Sequence, residues 1–293
     1  MRFNIFQKYK DDITNTFRLA YPVMIGQLGI IMMGVVDSIM VGSLGPIQLA
    51  AASLGNSLVF LILIIGIGSS AVVTPLIAIL LGAKRFSECG VYFRQSLFIN
   101  VSLSIVMIFV IFTGINFLDY LNQPLDVIFS AKIYMGIVGL SAFPLMIYQT
   151  YKQFIEGFSM MKPAMIIALL ANIINIFFNW VLIFGKLGFP AMGLAGAAWA
   201  TFASRVFMAT AIMIYVLNNK KFKDFDVRFH FRGLNFKVIK KILQLGVPSG
   251  FQHFFEVGAF SIAVIMIGWI GANELAAHQI ALNLASITFM IVL

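Results

Sequence analysis

Apolar residues run almost without interruption along this chain, and charge breaks the pattern only at long intervals. No formally charged residue falls in 19–36, 38–83, 95–118, 133–151, 163–185 or 275–293. A helix needs roughly 20 apolar residues to cross the hydrocarbon of a bilayer, whereas barrel strands give short alternating segments. Within runs this long, a helix is the structure that satisfies its own backbone groups. The pattern predicts an all-α integral membrane protein with spans near 17–41, 49–80, 91–115, 131–151, 163–184, 193–217, 242–268 and 275–293. The second span is expected to be loosened at its outer end. The first is too long for a signal-peptide h-region and lacks a small-residue cleavage pattern, so it reads as a retained span.

Composition sharpens this reading. The chain is 61% hydrophobic and 11% charged, against about 25% charged in soluble domains, and its mean hydropathy is +0.98. The net charge of +9 could point to nucleic acid, but its distribution points to the bilayer. The N-terminal segment and the 82–94, 152–162 and 218–241 loops carry 4, 3, 2 and 8 Lys/Arg, and the opposite loops hold Lys132 and Lys186. That bias places the N-terminus in the cytoplasm. The partner it implies is anionic lipid rather than nucleic acid, and nothing calls for an obligate protein partner. With one cysteine, Cys89, an intrachain disulfide is excluded.

The sequence also repeats itself. Shifted by 226 residues, LAYPVMIGQ…DSIMVGSLGPIQLAA lies without a gap on LGVPSGFQH…AVIMIGWIGANELAA, with 9 identities in 33 positions. Pro22/Pro248, Gly42/Gly268 and Gly45/Gly271 are among them, residues that answer to backbone geometry. Six spans separate the copies, so both enter the membrane in the same direction, a symmetry on which transporters are built. The expected organisation is a six-helix lobe at 1–217, a basic cytoplasmic linker at 218–241, and the first two helices of a second lobe at 242–293. A complete second copy would carry the chain to roughly 450 residues, so the sequence is expected to be a fragment.

Ionisable residues at membrane depth are functional candidates, because burying their charge costs several kcal/mol. Three stand out: Asp37, Arg205 and Glu256. Asp37 lies five residues before Gly42. Asn172, Asn175 and Asn179 share one face of the fifth span, and Asn179 lies six residues before Gly185. At 1.5 Å per residue Asp37 and Asn179 sit about 7 and 9 Å from the outer ends of their helices, close enough in depth to meet. A carboxylate with amide oxygens suits a proton or a small hard cation such as Na+; the bland reading is helix-to-helix glue. Glu256, between Gln252–Phe255 and Val257, is expected near the midplane, desolvated by Phe254 and Phe255 and able to exchange a proton near neutral pH. Arg205 reads as a structural residue with an unnamed partner. His253 and His278 lack metal-ligand spacing, so no metal centre is expected beyond Na+ at Asp37, Asn175 and Asn179. Lys152 and Glu156 form an ordinary i,i+4 helix pair.

There is no nucleophile–base arrangement and no GxxxxGK[ST] phosphate loop, so neither an enzyme nor a directly ATP-driven pump is indicated. Secondary active transport remains, with no cofactor. A flippase for lipid-linked oligosaccharide or peptidoglycan precursors is the alternative; it would favour several cations lining the cavity.

YPVMIGQLG…MGVVDSIMVG at 21–42, LAAASLGNS at 49–57, PLMIYQTYKQFIEG at 144–157, NIFFNWVLIFGKLGFPAMGLAGAAWAT at 175–201 and ELAAHQIALN at 274–283 closely resemble the multidrug and toxic compound extrusion (MATE) family, NorM-like branch. The resemblance implies twelve helices in two six-helix lobes, of which eight are seen here. It implies antiport of organic cations and drugs against Na+ or H+ in a bacterial inner membrane. Asp37 matches the first-helix carboxylate of the N-lobe ion site, with Asn175 and Asn179 its fifth-helix partners. Glu256 matches a seventh-helix carboxylate of the second lobe, where Gln252 and His253 are accessory candidates beside Asn172 and Arg205.

Overall fold

The computed structural model describes residues 3–225, 227 and 234–292. Arg228 and Arg232 of the basic linker lie outside them, as do the side chains of 287–293 at the end of the last expected span. The described residues form ten α-helices and two short 3₁₀ turns. The helices are α1 (Phe3–Gly42), α2 (Pro46–Ala71), α3 (Val73–Gly82), α4 (Phe86–Ile115), α5 (Leu125–Leu140), α6 (Ala142–Gly157), α7 (Lys162–Phe184), α8 (Gly193–Asn218), α9 (Phe236–Gly268) and α10 (Ala272–Val292). Six segments are long and apolar enough to cross a bilayer, with α2 and α3 counting as one, and the bent pair α5–α6 makes a seventh. The eighth expected span is present as α10 but is not among the segments that qualify.

Two spans are broken, and proline explains both. The second breaks at Val72, three residues before Pro75; the fourth breaks at Ser141, three residues before Pro144, with a bend of 41°. A proline has no N–H for the carbonyl four residues back and its ring collides with it. Those carbonyls belong to Ala71 and Leu140, the last residues of α2 and α5. The loosening expected at the outer end of the second span therefore falls near its other end, while the Pro46 end is regular helix.

The 226-residue register reappears in the helix boundaries. α1 ends at Gly42 and α9 at Gly268; α2 starts at Pro46 and α10 at Ala272. Pro22 and Pro248 lie inside α1 and α9 without ending them.

α9 packs along α2, and small residues make the approach possible. A methyl on Gly250 would lie 2.6 Å from the Ile65 carbonyl, and one on Gly68 would lie 2.9 Å from Gly250 Cα. Hydrogen bonds line the seam. Ser69 Oγ donates to Gly246 O and Ser249 Oγ to Gly68 O, both at 3.0 Å; Ser57 Oγ donates to Ser261 Oγ at 3.1 Å. At the far end Gln123 Nε2 donates to Ile265 O and Trp269 Nε1 to Leu121 O. With as little hydrophobic contrast between helix and lipid as a bilayer offers, close backbone contact and such bonds carry association.

The basic segment after α8 folds back onto α6 and its end. Its turn Lys220–Phe225 buries Phe222 completely, in an aromatic cluster with Phe154, Phe158 and Phe225 whose neighbouring rings lie 5.0–5.4 Å apart. Lys221 holds its ammonium 5.7 Å from the Phe158 ring centre, within range for a cation–π contact.

Candidate functional site

Asp37, in the last turns of α1, faces α7 and α8. Its Oδ1 accepts from Asn179 Nδ2 at 2.5 Å and its Oδ2 from Thr201 Oγ1 at 3.0 Å. Asn179 gives its other amide proton to Asn175 Oδ1 at 3.0 Å. Asn175 and Asn179 are fully buried, and Asp37 is half-buried. Thr201 reaches the carboxylate because α8 lies directly against the end of α7: a methyl on Gly196 would fall 2.6 Å from the carbonyl of Leu182.

The meeting of Asp37 with the fifth-span amides thus occurs as the depth argument expected, for two amides of the three. Asn172 lies a turn too deep. It donates to Gly29 O at 2.6 Å and to Ala168 O at 3.0 Å, and so joins α7 to α1. Thr201 is the partner that sequence reasoning missed. The available signal was its position one turn before Arg205, on the same helix face.

The Asn179 amide can face Asp37 in one orientation alone, since a carboxylate accepts and does not donate. That leaves Asn179 Oδ1 and Asn175 Nδ2 buried without a partner. Such atoms are costly in apolar surroundings and rare enough to require a reason. With the amide turned this way the Asn179 oxygen lies on the side away from Asp37, and the oxygens grouped at the site are those of the Asp37 carboxylate, Asn175 Oδ1 and Thr201 Oγ1, the type of donor that hard cations take.

Arg205 has a named partner. Its Nη1 donates to Ser141 Oγ at 2.6 Å, at the break between α5 and α6. Lys152 and Glu156 pair as expected, Nζ to Oε1 at 3.8 Å.

Glu256 on α9 has its side chain 65% accessible and lies 3.5 Å from His253 Nδ1, and Phe255 beside it is 73% exposed. Gln252 is exposed as well, and His253 lies over Gly68 of α2. Asp37 and Glu256 form no shared site among the described residues: α9 packs on α2, and the Asp37 oxygens face α7 and α8.

Broken helices, a parallel repeat and a polar cluster at membrane depth define a polytopic helical membrane transporter fold. The MatE family profile matches residues 22–181, and the chain belongs to that family. It is 35% identical to a protein of Mesorhizobium japonicum named "Probable multidrug resistance protein NorM", over 97% of this chain and 61% of that protein. It is 31% identical to the multidrug resistance protein NorM of Vibrio vulnificus, over 97% of this chain and 62% of that protein. The chain thus spans about three fifths of the length of these relatives. Among solved structures, the fold is similar to the eukaryotic MATE transporter AtDTX14, with a TM-score of 0.79 at 19% identity over 95% of this chain and 64% of that one. It is also similar to a MOP superfamily transporter from Pyrococcus furiosus, with a TM-score of 0.74 at 23% identity over 94% of this chain and 62% of that one.

Proposed function

We propose that this chain supplies the first lobe of a multidrug efflux antiporter. It exchanges organic cations or drugs for Na+ or H+ across a bacterial inner membrane, with its N-terminus in the cytoplasm. The carrying observation is the Asp37 cluster: a carboxylate at membrane depth whose two oxygens are held by Asn179 and Thr201 from two other helices. The names of the NorM relatives support the substrate class.

In this reading the coupling cation meets Asp37. A proton takes one carboxylate oxygen. Na+ takes oxygens from Asp37, Asn175 and Thr201, and turning the Asn179 amide brings its Oδ1 to the ion. Either arrival cancels the carboxylate charge that holds a cationic substrate, which supplies the differential affinity a two-state switch requires. The bent α5–α6 pair and the α2–α9 seam are the elements across which the lobes rock. Glu256, with His253 and Gln252 beside it, is the corresponding candidate on the second lobe.

The flippase alternative would need free cations along the cavity. Arg205, deep within α8, donates to Ser141, and Lys152 pairs with Glu156, which favours the antiporter.

The test is ethidium efflux from cells expressing the protein, under imposed Na+ or pH gradients, for wild type and Asp37→Asn. Efflux that follows one gradient and vanishes in the variant identifies the coupling ion. Unchanged efflux in Asp37→Asn removes Asp37 from the mechanism.

A further inference from the structure

Arg205 follows Thr201 by one turn on the same face of α8, so one strip of helix touches both the carboxylate and the broken span. Thr201 donates to Asp37, while Arg205 donates to Ser141, which is fully buried at the α5–α6 break and itself donates to Val138 O. The guanidinium stands one helical turn from the Thr201 that donates to Asp37, yet both Asp37 oxygens are held by neutral donors.

An arginine normally grips a carboxylate through two parallel hydrogen bonds. Here Ser141 holds the guanidinium aside, and its permanent charge acts on Asp37 through space. A lone carboxylate in apolar surroundings is costly and would bind a cation tightly. Passage of an ion also needs binding weak enough to let it leave. A fixed positive charge nearby meets both requirements.

We propose that Arg205 is the tethered counter-charge of the Asp37 site, and that Ser141 is the tether that stops it from occupying the cation's place. Arg205 and Ser141 are positioning residues in this scheme, which rests on the reading of Asp37 as the cation-coupling carboxylate.

The two residues give variants with opposite signs. Removing the charge in Arg205→Gln should tighten cation binding roughly tenfold or more, the scale of one charge–charge interaction at intermediate dielectric. Releasing the guanidinium in Ser141→Ala lets it fork onto Asp37 and should weaken binding several-fold. Arg205→Lys keeps the charge and should stay near wild type. The purified chain in lipid nanodiscs is titrated with NaCl at constant ionic strength, and separately with acid. The readout is the fluorescence of Trp180 and Trp199, which flank Asn179 and Thr201 in sequence.

Opposite shifts in Arg205→Gln and Ser141→Ala support the proposal. Weaker or unchanged binding in Arg205→Gln overturns it, as do shifts of the same sign in both variants, the signature of a merely structural role. If Arg205→Gln does not fold, the sign of the Ser141→Ala shift decides. Asp37→Asn separates the two levels. A signal that survives it, or no signal in wild type, overturns the Asp37 reading and this proposal together. A signal lost in Asp37→Asn but not tightened in Arg205→Gln overturns this proposal alone.

Discussion

The side-chain amide of Asn179 donates to the carboxylate of Asp37 at 2.5 Å, across 142 positions of sequence and between α7 and α1. Its second proton goes to Asn175, so the orientation of one amide is fixed by two partners at once.

Replacing Asn179 by leucine removes the donor and leaves Asp37 with Thr201 alone. Stability should fall by about 1–3 kcal/mol, the cost of an unsatisfied buried polar group, and the response to the coupling cation should disappear. Asn172→Leu breaks the bond to Gly29 instead. It should lower the melting temperature and leave the cation response in place. Melting curves paired with the tryptophan titration distinguish the two.

The α2–α9 seam tolerates nothing larger than glycine at position 250, where a methyl would sit 2.6 Å from the Ile65 carbonyl. With cysteines at positions 57 and 261, whose hydroxyl oxygens now lie 3.1 Å apart, oxidation should form a crosslink readily. Adding Gly250→Leu should slow that crosslink at least tenfold, a free-energy change of about 1.4 kcal/mol, as followed by gel mobility.

Position 90 supports the folded start of the linker. A methyl on Gly90 would lie within bonding distance of the Phe225 carbonyl oxygen, so Gly90→Val should lift the Lys220–Phe225 turn off the lobe. Trypsin should then cut at Lys220, Lys221 or Lys223 markedly faster than in wild type. Phe222→Ala should have the same effect, with a loss on the order of 3–5 kcal/mol for a fully buried ring.

Cys89, the sole cysteine, is fully buried. It should resist maleimide in the native protein and react within the unfolding transition, which makes it an internal reporter of global stability. Rapid labelling under native conditions would contradict its placement between α4 and the lobe core.

The spans were legible because a bilayer imposes one requirement that sequence displays directly: long apolar runs whose backbone bonds close within the helix. The repeat was legible for a related reason. Helix ends at Gly42 and Gly268, and starts directly after Gly45 and Gly271, follow backbone chemistry that glycine writes into the sequence. The breaks were less visible. Pro75 and Pro144 stand in the sequence, but the position of each break follows from the carbonyl the proline cannot serve, and the second span was expected to loosen at its other end.

At the candidate site, depth along a helix was computable from a count of residues, so Asp37 could be matched with Asn175 and Asn179. Rotation and helix neighbourhood were not. Thr201 comes to the carboxylate because α8 packs beside it, and no periodicity within α1 or α7 contains that information.

What the sequence determined by itself was the membrane-spanning helical class and the parallel repeat, because these depend on interactions local to one segment. What the tertiary structure alone decided was partnership: Thr201 with Asp37, Arg205 with Ser141, α9 with α2. Those contacts join residues tens to hundreds of positions apart, and they are set by how closely particular helix faces can approach, which is a property of packed surfaces rather than of any one stretch of chain.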